Sequence, residues 1–303
     1  MIDVEQARDA IAGRVHRTPT LSSATLGAHL KAELFQKTGS FKARGCLNRV
    51  NALTPEERRR GVVTWSAGNH AQAVAWAAAQ EGVDCLVCRW ESASPLKVDA
   101  ARGYGATVDT SSPDAAVAYD RALEAAERDG RVVVHPHSDP LVVAGHGTVA
   151  LEILEDVPEV ATVVVGVGGG GLVAGIVTAL AGRARVVAVE PEGSQAFRAG
   201  LEAGRSVRVE TSTIADGLAP PFAGELPLQV CRGKVDSVLV SDDEIADGMR
   251  FLYARAKLAC EPAGAAAAGA VLAGKVERDG PIVVVVSGGN VVAQQAAAIL
   301  AGR

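Results

Sequence analysis

The chain has 303 residues, of which 48% are hydrophobic and 21% are charged, and its formal net charge is −5. These values are typical of a water-soluble globular protein with one or two domains and a large core, and without a surplus of basic residues no nucleic-acid partner is expected. The first ten residues, MIDVEQARDA, contain three acids and no apolar run, and the chain has five cysteines. Both features predict a cytoplasmic protein rather than a secreted one.

Short β-rich runs alternate with helical patterns from about residue 60 onward, and the runs are apolar on both faces, as in a mostly parallel sheet covered by helices. In chain order the predicted strands are VVTWS, VDCLVCR, ATVDT, RVVVHP, TVVVGV, RVVAVEP, SVLVS and PIVVVVS. The predicted helices include NHAQAVAWAAAQEG, SPDAAVAYDRALEAAERDG, SDDEIADGMRFLYARAK and the closely packed AGAAAAGAVLAG. Ser241 and Glu244 form a capping-box pattern. The sequence therefore predicts the α/β class.

The first motif that carries chemistry is TGSFKARG, residues 38–45. With Ser40 as the N-cap, Lys42 falls in the first turn of a helix, where the positive end of the dipole and partial burial beside Phe41 favour the neutral amine. A neutral lysine can attack a carbonyl carbon, so Schiff-base chemistry is indicated. The alternative is a solvated lysine at a helix start.

The second motif is SAGNHAQAVAWAA, residues 66–78, predicted to run from a strand end into a helix. Ser66, Asn69 and His70, with the free N–H groups of the helix start, suit a carboxylate or a ring hydroxyl. The alternative is a well-capped helix. Further on, His135 and His137 have no accompanying carboxylate motif and are predicted to make local hydrogen bonds rather than to bind a metal.

The third motif lies in residues 161–182, ATVVVGVGGGGLVAGIVTALAG, which are uncharged over about the length of a membrane span. Four consecutive glycines disfavour one continuous helix, so a buried strand, a tight loop and a buried helix are predicted and no membrane span.

This glycine loop lets backbone N–H groups converge on an anion, which predicts a phosphate site. The same residues fit a dinucleotide fingerprint, with Gly166, Gly168 and Gly171 as G-x-G-x-x-G and Glu190 at the end of the next strand. A nicotinamide-dependent oxidoreductase is therefore an alternative, as is simple close packing. The last motif, VVVVSGGNVV at residues 283–292, places Ser287 at a strand end, where open α/β sheets hold ligands; its alternative is a turn.

Together these stretches resemble the fold type II pyridoxal-phosphate enzymes, and within them the group of threonine dehydratases (threonine/serine ammonia-lyases) and serine racemase. The matching segments, in the family's order, are TGSFKARG, SAGNHAQ, HPHSDPLVVAGHGTVALEI, GVGGGGLVAG, VEPEG, TIADG, EPAGA and SGGN. The resemblance implies a two-domain architecture, with residues 1–50 and 140–303 as a large cofactor-binding domain and residues 51–139 as a small mobile domain. It also implies a pyridoxal 5'-phosphate cofactor and a homodimer.

The resemblance implies a role for each matching residue, beginning with Lys42, which would bind the cofactor covalently and take the substrate Cα proton. The cofactor phosphate would be held by Gly168, Gly169, Gly170, Gly171 and the Leu172 amide. The ring would contact Asn69 at its hydroxyl, Ser287 at its nitrogen, and Phe41 and Gly217 on its two faces. The substrate carboxylate would be received by Ser66, Asn69 and His70. A cation would be held by Glu190 and the Ser194 carbonyl, although the family's second acidic ligand is replaced by Ala196.

The activity implied is β-elimination from L-threonine, L-serine or a related β-hydroxy amino acid, giving a 2-oxo acid and ammonia. A serine at the ring nitrogen makes the ring a weaker electron sink than a carboxylate would, which disfavours a long-lived carbanion. Serine racemase is expected to have a serine where Ala67 stands, and alanine has no proton to give, so the lyase is favoured and an amino-acid racemase is the alternative. His146 replaces a glutamine of the family, which suggests a substrate other than threonine. The sequence ends at Arg303, so feedback by isoleucine through a regulatory domain is not expected.

Overall fold

Two β-sheets organise the computed structural model, which describes residues 2–66, 68–90 and 95–302. The strands of the described chain are β1 Thr20–Ser23, β2 Ala28–Ala32, β3 Val62–Trp65, β4 Cys85–Trp90, β5 Thr107–Ser112, β6 Val132–Val133, β7 Thr162–Gly166, β8 Arg185–Pro191, β9 Asp236–Val240 and β10 Ile282–Val286. The α-helices are α1 Val4–Ile11, α2 Lys42–Asn51, α3 Pro55–Arg60, α4 Asn69–Glu81, α5 Pro95–Gly103, α6 Ala115–Asp129, α7 Pro140–Asp156, α8 Gly171–Leu180, α9 Ala196–Ala203, α10 Glu225–Cys231, α11 Asp242–Phe251, α12 Pro262–Leu272 and α13 Ala293–Leu300.

The larger sheet has the strand order β1-β2-β10-β7-β8-β9. All of its neighbouring strands are parallel except the β1–β2 pair. Strands β7 and β10 are buried along their whole length, as expected for strands covered by helices on both faces. This arrangement confirms the predicted α/β class and mostly parallel sheets.

The smaller sheet has the order β5-β4-β3-β6 and is parallel throughout. Its strands lie between Val62 and Val133, inside the range predicted for the small domain. The domain boundaries themselves stay a prediction. Helix α2 packs on helix α4, which follows a strand of this sheet, and also on helix α7, which precedes strand β7 of the larger sheet.

The sequence does not predict strands β1 and β2, which are four and five residues long; in β2 the alternation of Ala28, Leu30 and Ala32 with polar residues is too short to stand out. Strand β1 is a partly exposed edge strand. Strand β2 contains Lys31, whose side chain is fully buried and whose amine lies 2.6 Å from the Glu152 carboxylate. A buried charge that is neutralised by an ion pair can occupy a core position without a hydrophobic signal.

The uncharged residues 161–182 fold as predicted, with strand β7, a glycine loop and helix α8 in succession. No helix of the described residues is long and apolar enough to cross a membrane. The predicted close packing of the alanine-rich helix α12 is also confirmed: a Cβ on Gly269 would clash with the Glu244 carbonyl of helix α11. The capping box of helix α11 is formed by Ser241 and Glu244, but the helix ends at Phe251 and continues as a π-helical turn, Leu252–Ala256.

Candidate active site

Lys42 is the first residue of helix α2, and its amine donates a hydrogen bond of 2.7 Å to the carbonyl of Pro136. Burial lowers the pKa of this amine to about 8, and Cys46 has only a smaller, opposite effect. The expected shift toward a neutral amine is therefore present, with burial as its main cause. A lysine with such a pKa is suited to act as a nucleophile or a base near neutral pH.

The prediction that Ser40 is the N-cap is wrong. The N-cap residue is Phe41, and no side chain caps the helix. Ser40 instead has an extended backbone that forms a β-bridge with Gly288, and its buried hydroxyl has no hydrogen-bond partner among the described residues. This bridge matters for the site, because it joins the lysine motif to the segment that follows strand β10.

The same junction brings Phe41 and Ser287 together, since the Phe41 N–H donates to the Ser287 carbonyl at 3.1 Å. The Phe41 ring meets His146 edge to face at 4.7 Å, and the Lys42 amine lies 5.1 Å from the Phe41 ring centre. Strand β10 therefore delivers Ser287 to the start of helix α2, although the two motifs are more than 240 residues apart.

Asn69, the first residue of helix α4, is held by two partners from distant parts of the chain. Its side-chain N–H donates to Glu261 at 2.6 Å, and its side-chain oxygen accepts from Asn290 at 2.8 Å. Asn290 also donates to the carbonyl of Thr38 at 2.7 Å. Because the Asn69 amide has two N–H groups, this arrangement leaves one of them to donate to a ligand.

Glu261 was missed as a site residue in the sequence, although EPAGA was one of the matching segments. It is buried and directly precedes helix α12. The sequence does show a carboxylate directly before an otherwise apolar helix, which could have indicated a buried site residue. A carboxylate in that position is ordinarily interpreted as an exposed residue at a helix start.

His70 is placed differently from the sequence expectation. Its imidazole is buried, with Nε2 3.0 Å from the Val134 carbonyl and Nδ1 3.5 Å from the Cys46 sulfur. Burial, followed by the charge of Lys42, lowers its pKa well below the ordinary value. The ring nitrogens thus face the interior, and only the backbone N–H of His70 remains suited to a carboxylate. The side-chain hydroxyl of Ser66 accepts from the Gly68 N–H at 3.1 Å.

The glycine loop between strand β7 and helix α8 has no room for side chains. Gly170 has φ of 91° and is the N-cap of helix α8, and a Cβ there would lie 2.6 Å from Pro227. A Cβ on Gly168 would lie 3.2 Å from the carbonyl of Gly217, so the TIADG segment borders the loop. Leu172 is buried in the first turn of the helix. The first N–H groups of a helix lack intrahelical acceptors, and no side chain caps helix α8, so these N–H groups are suited to an anion.

The side chain of His135 makes the local hydrogen bonds that the sequence predicts, and His137 takes part in them through its backbone N–H alone. The Nδ1 atom of His135 accepts from the N–H groups of His137 and Ser138, at 3.2 and 3.0 Å. Burial, and then the charge of Lys42, lowers the pKa of His135 to about 4. Among the described residues, no cluster of three or more His, Cys, Asp and Glu side chains is arranged to hold a metal ion.

Glu190, the predicted cation ligand, has a different partner in the structure. Its two carboxylate oxygens accept from the N–H groups of Phe197 and Arg198, at 2.8 and 2.9 Å, and so anchor the start of helix α9. Burial raises its pKa to about 7 despite these hydrogen bonds. Ser194 is buried, and its hydroxyl donates to the Leu218 carbonyl at 3.0 Å. The cation site at these residues stays a prediction. Ala67, on which the choice between lyase and racemase depends, lies outside the described residues.

The residues present fit pyridoxal 5'-phosphate in size and chemistry. A buried amine with a lowered pKa is suited to bind an aldehyde, and a helix start that follows a glycine loop and has no side-chain cap is suited to a phosphate. The two features lie on one side of the molecule, because the segment of Pro136 and His137 contacts both Lys42 and the glycine loop.

Comparison with known proteins agrees with this fit. Residues 11–288 match the family described as pyridoxal-phosphate dependent enzymes, and the chain belongs to this family. It is 41% identical to the L-threonine ammonia-lyase of Thermotoga maritima over 95% of this chain and 75% of the relative. It is 38% identical to a catabolic L-threonine dehydratase of Escherichia coli strain K12, over 95% and 92% of the two chains. The structure of maize serine racemase superimposes with a TM-score of 0.92 at 36% identity, over 96% and 94% of the two chains.

The family assignment confirms the resemblance and the predicted cofactor. It also removes the alternative of a nicotinamide-dependent oxidoreductase, which used the glycine loop together with Glu190. The carboxylate of Glu190 binds the backbone of helix α9 rather than facing a ribose site.

Proposed function

We propose that the protein is a pyridoxal-phosphate dependent ammonia-lyase that converts L-threonine, L-serine or a related β-hydroxy amino acid into a 2-oxo acid and ammonia. The observation that carries the proposal is the Lys42 amine, whose pKa is lowered to about 8 by burial. The segment of Pro136 and His137 contacts both this amine and the glycine loop. The proposal is supported by relatives named L-threonine ammonia-lyase and L-threonine dehydratase.

The cofactor, when bound, supplies an electron-withdrawing ring that stabilises negative charge at the substrate Cα. We assign its phosphate to the backbone N–H groups of Gly168–Gly171 and Leu172, at the positive end of the helix α8 dipole. The remaining N–H of Asn69 would donate to the ring hydroxyl, and Ser287 would bind the ring nitrogen. Phe41 and Gly217 are assigned to the two faces of the ring.

Lys42 is assigned the proton transfer at Cα. A base works best when its pKa lies near the operating pH, which an amine with a pKa of about 8 satisfies. The neutral carbonyl of Pro136 orients the amine without holding it charged, as a carboxylate would. The N–H groups at the start of helix α4, with Ser66, are assigned the substrate carboxylate; the imidazole of His70 is not part of this assignment.

The alternative activity is an amino-acid racemase, which is supported by the likeness to maize serine racemase. Racemisation needs a proton donor on the second face of Cα, and the alanine at position 67 has no proton to give. Chiral analysis of L-serine after prolonged incubation separates the two activities. Accumulation of D-serine without a 2-oxo acid would favour the racemase.

Several finer statements belong to the same proposal. We infer a cytoplasmic homodimer, a small mobile domain of residues 51–139, and a cation near Glu190 and Ser194.

The decisive test is a screen of β-hydroxy amino acids, both enantiomers of each, for release of 2-oxo acid and ammonia. Lys42→Ala is the matched inactive variant. Borohydride treatment of the native protein should attach the cofactor to Lys42 and fix its absorbance. A protein that is colourless as purified and does not respond to borohydride would contradict the proposal, as would a coloured protein that releases no 2-oxo acid from any of the compounds.

A further inference from the structure

His137 lies against the glycine loop, although it was predicted only to make local hydrogen bonds. A Cβ placed on Gly169 would lie 2.7 Å from its Cε1 atom, and a Cβ on Gly171 would lie 3.0 Å from its Cα atom. On the other side, a Cβ on Gly224 would lie 2.7 Å from its Cδ2 atom. The Gly224 N–H donates to the Gly169 carbonyl at 3.0 Å. The imidazole is therefore enclosed between glycines that leave it space.

The imidazole of His137 is buried, but its hydrogen-bonding capacity is not fully satisfied. His137 is 7% exposed, and its Nε2 atom has no hydrogen-bond partner among the described residues. Buried polar atoms in folded proteins nearly always have a partner, and one without a partner calls for a physical explanation. A ligand that enters the neighbouring loop and carries acceptor oxygens provides that explanation.

The position of His137 is fixed by its neighbours. His135 accepts a hydrogen bond from the His137 N–H, and the carbonyl of Pro136 accepts one from the Lys42 amine. The rings of His135 and His137 meet edge to face, with centres 4.7 Å apart. Because the backbone is held on both sides, the ring stays between the lysine and the glycine loop.

We propose that His137 is a further ligand of the cofactor phosphate, which donates its Nε2–H to a phosphate oxygen and is protonated in the cofactor-bound protein. The inference rests on the proposed function only in that the phosphate occupies the glycine loop. Lys42 remains the group that handles the Cα proton, and His137 adds a positive charge to a cradle otherwise built from neutral backbone.

The titratable groups that face His137 come from three elements: His135 on its own segment, Lys42 on helix α2 and His70 on helix α4. Burial, followed by these three groups, lowers the pKa of His137 well below its ordinary value in the protein without cofactor. A phosphate dianion in contact favours the charged imidazole and opposes that shift. In return, a charged imidazole stabilises the dianion, so the dianion takes up a proton and becomes a monoanion only at a lower pH.

The test is phosphorus NMR of the bound cofactor in the intact holoenzyme from pH 5 to 9. In the wild-type protein the phosphate should remain a dianion below pH 6, which is about the second pKa of a free phosphate monoester. In His137→Phe the midpoint should rise by about one pH unit or more, and the cofactor dissociation constant should increase roughly ten- to a hundredfold, because a hydrogen bond to a charged group is lost. His137→Asn keeps a donor but no charge, so it should show the midpoint shift with a smaller loss of affinity.

His29→Asn, on strand β2 of the larger sheet, is the matched control and should change neither quantity. If His137→Phe does not fold by circular dichroism, His137→Asn decides alone. A wild-type midpoint and dissociation constant in His137→Asn would overturn the inference. The resonance belongs to the cofactor whether or not a 2-oxo acid is released, so a missing lyase activity with a shifted midpoint would contradict the proposed function and leave His137 as a phosphate ligand. A protein that binds no cofactor would overturn both.

Discussion

Two cationic side chains on helix α2, only two residues apart, have opposite electrostatic surroundings. Arg44 is 1% exposed and is surrounded by carboxylates, whereas the Lys42 amine donates to a neutral carbonyl. Burial alone would lower the pKa of both groups. For Lys42 that effect prevails and the pKa falls to about 8, while for Arg44 the carboxylates outweigh it and the pKa is raised.

The Arg44 network is extensive. The guanidinium forms two parallel hydrogen bonds of 2.8 Å with Glu33, and a third of 2.6 Å with Glu152. Glu152 also pairs with Lys31 of strand β2. The pKa of the Glu152 carboxyl is lowered because Arg44 and Lys31 outweigh its burial. Bidentate geometry and mutual hydrogen bonding are the conditions under which a buried ion pair is retained without a large penalty.

The contrast teaches how one short helix serves two purposes. The Arg44 network ties helix α2 to strand β2 and helix α7 and so fixes the position of its first residue. No carboxylate of the described residues forms an ion pair with Lys42, and none is among the charges that act on it. A fixed helix with an uncompensated amine at its start gives a nucleophile that is held in place and still deprotonates near neutral pH.

The strongest test of the difference between Lys42 and Arg44 is Lys42→Arg, which keeps the charge and removes the ability to deprotonate. Release of 2-oxo acid should fall by at least about a thousandfold, because neither covalent binding of the cofactor nor proton transfer remains possible. Steady-state assays measure this, with Lys234→Arg at an exposed lysine as the control. Retention of a tenth of the wild-type rate would show that Lys42 is not the reactive amine.

Arg44→Met tests the other half of the contrast. Removing the guanidinium leaves the buried Glu33 carboxylate without its cationic partner, so the free energy of unfolding should fall by about 3–5 kcal/mol. Urea denaturation monitored by circular dichroism measures the loss. Arg44→Lys, which retains charge but not the two-pronged geometry, should lose less, and Arg8→Met at an exposed ion pair should change stability by no more than about 0.5 kcal/mol. A loss below 1 kcal/mol in Arg44→Met would count against the network as an anchor.

Gly169→Ala extends the comparison to the loop that faces Lys42. The added methyl group would overlap the His137 ring, so the free energy of unfolding should fall by about 1–3 kcal/mol and cofactor affinity should fall with it. Thermal unfolding and cofactor titration measure the two effects. Gly103→Ala, where nothing lies within 4 Å of the new atom, is the matched control. Equal behaviour of the two variants would mean that the cradle tolerates a side chain.

The reactive role of Lys42 could be predicted from the sequence, whereas the anchoring role of the Arg44 network could not. Lys42, the glycine loop and Ser287 stand in short motifs whose local pattern indicates chemistry. Arg44 stands in the same motif as Lys42, but its partners are 11 and 108 residues away, and no periodicity links them. Charge pairing across such distances is set by the fold, which a local pattern does not encode.

The same limit explains the errors within the site. Ser40 has the residue type and spacing of an N-cap, but its pairing with Gly288, almost 250 residues away, sets its backbone extended. Glu261 stands at a helix start in the sequence, and only the fold places it beside Asn69, which is 192 residues away. His70 was assigned by its place in a polar motif, and the fold turned its ring toward Val134.

The pH dependence of stability separates the two cations without any assay of activity. In the unfolded chain Lys42 titrates near 10.5, and in the folded protein without cofactor near 8. Between these values the unfolded state binds more protons, so the contribution of Lys42 to the free energy of unfolding rises with pH across this window.

Lys42→Met removes that contribution. The variant should therefore be more stable than the wild type by about 3 kcal/mol at pH 7, with the advantage fading to zero as the pH approaches 10.5. Arg44, whose pKa is raised, stays charged in both states throughout, so the deficit of Arg44→Met should not vary over the same range. Urea denaturation of the three proteins at several pH values measures these differences. An advantage of Lys42→Met that stays constant up to pH 10.5 would show that folding does not lower the pKa of the amine, and that the two cations differ less than their surroundings indicate.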